Sequence, residues 1–83
     1  MVNLHKTLEE KLKDECRDVV EYIRLADEVG EEDEMVEAKL KSIAYDEFTH
    51  AYTLCYILKH HGYELSPETK ELWKKAKEAF EDM

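Results

Sequence analysis

Glycine and proline are nearly missing from this 83-residue chain, which has two glycines and one proline. That leaves little material for turns, excludes a turn-rich fold and suits long helices. Cysteine is equally scarce. Cys16 and Cys55 form no C-x-x-C pair, which excludes a disulfide-stapled scaffold; reduced thiols in a cytoplasmic protein are expected. Positive charge is also short, with 12 basic residues against 21 acidic ones and a formal net charge of −9. Nucleic-acid binding needs a positive face, so DNA and RNA are not expected partners. No apolar run reaches the roughly 18 residues that a membrane-spanning helix requires, and no basic-then-apolar leader opens the sequence. A membrane is therefore not an expected partner either. There is no internal repeat and no low-complexity linker.

What remains is 40% charged residues and a dominance of Leu, Glu, Lys and Ala, the strong helix formers. The expectation is a single all-α domain over residues 1–83. Helix 1 spans about residues 4–29, starting at Asn3 or at a Thr7 capping box. Gly30 ends it, in the place where a left-handed residue is wanted. The short link Gly30–Asp33 forces helix 2, about residues 34–61, to run back antiparallel. Gly62 stops it. Ser66 and Pro67 open a short amphipathic helix 3, about residues 67–82, that docks on the hairpin or on a partner. Between Asp27 and Glu34, six of eight residues are acidic. Favourable interaction with the N-terminus of helix 2 is the first explanation for them, and a funnel for cations the second.

Helix 2 carries the informative irregularity. Val36, Leu40, Ile43, Leu54 and Ile57 step by threes and fours along one face, the pattern of a buried seam. Glu47 and His50 interrupt that seam near its middle. A buried carboxylate and imidazole are costly unless paired, and one metal ion pairs both. A second row, Ala44, Phe48, Ala51, Cys55 and Leu58, means that the helix is covered on more than one side. A lone hairpin cannot supply that cover, so a partner chain is expected. Cys55 reads as a small buried hydrophobe, and the tyrosines at 45, 52, 56 and 63 as packing.

Helix 1 has its own interruption at Glu15, with Tyr22 one heptad later on the same side. Counting from a turn centred near residue 31.5, Glu15 and the Glu47–His50 pair are both about 25 Å from the loop. Three polar interruptions thus lie level across the hairpin, which makes Glu15, Glu47 and His50 the candidate metal ligands. Asp18 and Asp46 are near enough to orient them. His60 and His61 suit a helix C-terminus electrostatically. Two copies around a two-fold axis would bring four carboxylates and two imidazoles to two divalent ions, with the charges balanced.

Glu15, Tyr22 and the run Asp46-Glu47-Phe48-Thr49-His50 together resemble the first half of a rubrerythrin-type ferritin-like domain. The single-hairpin length is similar to the encapsulated ferritins, and the resemblance covers about residues 8–62. It implies a four-helix bundle formed by a homodimer or a ring of dimers, holding two Fe ions per dimer, with Mn or Zn as possible substitutes. It also implies Glu15, Glu47 and His50 as ligands, Glu47 bridging, and Tyr22 as a hydrogen-bonding residue behind them. The implied activity is oxidation of Fe(II) by dioxygen or peroxide. No C-x-x-C iron site of the rubredoxin type is present, and no segment after helix 3 resembles a tail for targeting to an encapsulating shell. Two further readings stand beside this one: a di-metal peroxidase, and a metal-independent helical oligomerisation module whose polar seam residues set register.

Overall fold

Asn3 sets the first helix in motion, its side chain accepting a hydrogen bond from the Lys6 N–H at 3.1 Å. Thr7 therefore lies inside the helix, and the start is the earlier of the two candidates. The structure, a computed structural model describing residues 3–83, consists of α1 (Leu4–Val29), α2 (Glu34–His60) and α3 (Pro67–Glu81). No strand occurs among the described residues.

The two glycines solve different problems. Gly30 caps α1 at φ 9° and ψ −95°, outside the left-handed region anticipated for it. The turn here is tight, with the Glu32 and Asp33 N–H groups both donating to the Val29 carbonyl. A Cβ at Gly30 would lie 3.0 Å from the Asp27 carbonyl oxygen, so close approach is what calls for glycine. Gly62, at φ 70°, is the left-handed residue. Tyr63 N–H donates to the Leu58 carbonyl and Gly62 N–H to that of Lys59, the paired bonds of a Schellman close to α2. Asp33 caps the start of α2 and Ser66 that of α3, with Pro67 at its first position.

α1 and α2 form the antiparallel hairpin. α3 packs mainly on α1 and touches α2 far less. The core is built on one side of the hairpin from Leu12, Cys16 and Val19 of α1, Ala51 and Leu58 of α2, and Trp73 of α3. Phe48 stacks on Trp73 and on Phe80, with ring centroids 5.4 and 4.2 Å apart.

The arrangement decides which of α2's two apolar rows is buried within one chain. Ala44, Ala51, Cys55 and Leu58, the second row, are buried. The seam row lies about 80° around the helix, and its apolar members Val36, Leu40, Leu54 and Ile57 stay half-buried while Ile43 is exposed. Leu8, Glu15 and Tyr22 of α1 occupy the same half-buried band. The hairpin thus has a face that α3 covers and an apolar band that the described residues cover only in part.

Two polar residues, Glu9 and Thr69, are buried on the covered side. Glu9 accepts from the Tyr63 hydroxyl at 2.7 Å, the Ser66 N–H at 2.9 Å and the Thr69 hydroxyl at 2.6 Å. Burial pushes its carboxyl up, but those donors outweigh it and hold the pKa down at about 2. This knot ties the cap of α3 to the first helix.

Candidate metal centre

Glu15 extends from the middle of α1, and Glu47 and His50 from successive turns of α2 on the edge of the hairpin facing it. Antiparallel helices joined by a short turn pair residues equidistant from that turn, so the level spacing of the sequence becomes contact in space. One ligand atom from each of the three residues lies within 4.8 Å of the others. Two ligands of one ion, each about 2.1 Å from it, can be at most about 4.2 Å apart. The widest pair slightly exceeds that reach, so the cluster suits a shared pair of ions, or one ion after a small rotamer change.

One of these ligand atoms is left unsatisfied: Glu15 Oε2 is buried with no hydrogen-bond partner, and His50 Nδ1 lies 3.7 Å from it. A buried carboxylate oxygen without a donor costs on the order of 1–3 kcal/mol. The neighbouring acids respond accordingly. Glu47 is pushed up, first by the adjacent Glu15 carboxyl and then by burial, with the His50 ring acting the other way. Asp18 is pushed up by burial and then by the charge of Glu47. Carboxyls that crowd one another without a cation hold protons more tightly, and a divalent ion would displace those protons.

His50 is exposed, while Glu15 and Glu47 are half-buried. A shallow surface hollow of about 340 Å³ opens over the cluster, lined by Lys11, Glu15, His50, Thr53 and Leu54. The cluster therefore sits on the half-buried band of the hairpin, with one side open. Among the described residues it is the one group of three or more such side chains that could hold an ion.

Tyr22 lies on the same band, packed against the edge of the core, and makes no side-chain hydrogen bond among the described residues. Asp18 is brought next to Glu47, and Asp46 is exposed. Cys16, one residue from Glu15, points into the core. Burial, aided by Cys55 and Glu15, pushes its thiol up to about 12, so it is neither a thiolate ligand nor a nucleophile. The role of Lys11 as a wall of the hollow was not visible in the sequence, where one lysine on a charged helix face carries no signal.

Comparison of the chain with protein-family models, with characterised proteins and with solved structures finds no match in any of the three. The reading of this cluster rests on its own chemistry.

Proposed function

We propose that the chain is half of a di-iron carboxylate protein of the ferritin-like, rubrerythrin-type kind, oxidising Fe(II) with dioxygen or peroxide at a site shared by two copies. The observation that carries this reading is the unpartnered, buried Glu15 oxygen. It belongs to a Glu15–Glu47–His50 cluster on a half-buried apolar band of the hairpin.

The exposed area supports a partner. The chain exposes 5815 Å², against about 5,200 Å² for a compact monomer of its mass. The excess, about 600 Å², is near the roughly 800 Å² that each member of a standard complex buries. A second copy seated on the seam face would cover Leu40, Ile43 and Leu54. It would also place its own two carboxylates and imidazole opposite the first set. Four carboxylates then balance two divalent ions. A metal-independent oligomer would instead bury four like charges with nothing to neutralise them.

In this arrangement the residues of the chain do three things. Glu15 and Glu47 hold the cations by hard oxygen donors, and His50 supplies one borderline nitrogen, a set that suits Fe(II) and also Mn(II) or Zn(II). Leu54 supplies an apolar wall beside the cluster. The carboxyl groups, freed of their extra protons by the cations, remain poised to take protons back as charge at the site changes. Two Fe(II) ions as substrate would give up one electron each, which with two protons would reduce one dioxygen to hydrogen peroxide or one hydrogen peroxide to two waters.

The test is anaerobic loading with Fe(II) followed by rapid mixing with dioxygen or peroxide, with Fe(III) absorbance followed over time. Turnover in the unaltered protein and none in Glu47→Ala is the expected result. Equal rates in the two would sink the assignment.

A further inference from the structure

A second group of metal-ligating atoms lies at the other end of the hairpin from the acidic turn. His5, in the first turn of α1, and His61, the residue that caps α2, approach so that His5 Nε2 and His61 Nδ1 are 3.0 Å apart. The rings meet edge to face, with centroids 5.2 Å apart and an interplanar angle of 80°. Without a metal, one of these nitrogens carries the hydrogen and the other accepts it.

The His5 ring is held from behind, and His61 by its backbone. His5 stacks on Tyr63, with centroids 5.2 Å apart and planes at 27°. Tyr63 is itself fixed by its hydroxyl on the buried carboxylate of Glu9 at 2.7 Å. His61 is anchored by its N–H on the Ile57 carbonyl at 3.1 Å, and Gly62 and Tyr63 close the helix immediately after it. Positioned imidazoles lose little freedom when they bind an ion.

We propose that His5 and His61 form a separate two-imidazole site for a Cu(II)- or Ni(II)-class ion, clasping the start of α1 to the end of α2. The two nitrogens now face each other nearly head-on in that hydrogen bond; once both rings turn their lone pairs onto one ion, nitrogens about 3.0 Å apart and each about 2.05 Å from it subtend about 94°. That is the angle between neighbouring positions of a square-planar or octahedral ion. A tetrahedral ion would need the nitrogens about 3.35 Å apart, which places Zn(II) behind. The general order of divalent affinities also puts Cu(II) first. On binding, each ring keeps its one hydrogen on the nitrogen turned away from the ion, and water fills the remaining positions. The site is about ten residues along the helices from Glu15 and His50, or about 15 Å, so it neither uses nor needs the carboxylate centre.

The experiment titrates Cu(II) into the full chain in excess Mg(II), with Glu47→Ala present to remove the carboxylate centre. Binding is read by calorimetry and by the nitrogen hyperfine structure of the electron paramagnetic resonance spectrum. One Cu(II) per chain coupled to two imidazole nitrogens is expected. His5→Ala and His61→Ala should each weaken binding at least tenfold, and His60→Ala should leave it unchanged. Affinity unchanged in both His5→Ala and His61→Ala, or a spectrum with one nitrogen or none, would overturn the proposal. The spectrum of the chain with both histidines present decides the matter even if a variant loses its fold.

Discussion

Glu15 Oε2 and His50 Nδ1 face each other at 3.7 Å across the α1–α2 interface, too far for a hydrogen bond and close enough for both to bind one ion. This relationship has consequences for stability as well as for chemistry, because a group kept ready for a cation is a burden in its absence.

Replacing Glu15 with leucine should therefore stabilise the metal-free protein. The substitution removes a buried oxygen that has no donor and puts an apolar side chain on an apolar band, a gain of about 1–2 kcal/mol. For a domain of this size that raises the melting temperature by roughly 5–10 °C. The same variant should lose the rise in melting temperature that added Zn(II) or Mn(II) gives the unaltered protein. Thermal melts with and without metal check both halves.

Glu9 should behave in the opposite way. Glu9→Ala strips the acceptor from the Tyr63 and Thr69 hydroxyls and the Ser66 N–H together, and should cost about 3 kcal/mol. The carboxyl is held at about 2, below its ordinary 4.5, despite burial acting to raise it. A depressed acid pKa means that the folded state favours the ionised form. Its stabilisation is complete above about pH 4.5 and is lost as pH falls toward 2. Urea melts from pH 6 down to pH 2.5 should show that loss in the unaltered chain and a flatter profile in Glu9→Ala.

Much of this was legible before the fold was known, and the reason is the arithmetic of antiparallel helices. Residues at equal distances from a short turn must meet, so Glu15 and the Glu47–His50 pair could be placed together by counting. The start of α3 was legible at Ser66, and that of α1 was narrowed to Asn3 or Thr7, because cap chemistry is local; Asp33, the cap of α2, was read only as part of the link. Two things were not. Which apolar row of α2 faces the chain's own core depends on where α3 lands, and helix periodicity marks both rows alike. The Glu9–Tyr63–Thr69 knot and the His5–His61 pair join residues 54 to 60 positions apart. No periodic signal links such residues; a glutamate on a charged helix and a histidine at a helix end have ordinary local explanations.

The partly covered band makes its own prediction. Ile43 is 38% exposed in the single chain, so Ile43→Asp should leave the helical content of the monomer intact. In the proposed dimer it should block pairing, because the aspartate would be buried there without a partner. Analytical ultracentrifugation should show a dimer for the unaltered protein and a monomer for the variant, with matching circular dichroism.

The central claim is that two copies complete one site, and native mass spectrometry of the anaerobically Fe(II)-loaded protein tests it most directly. The expected species is a dimer carrying two iron ions. Glu47→Ala should carry none. A monomer without iron, or iron retained equally by Glu47→Ala, would contradict it.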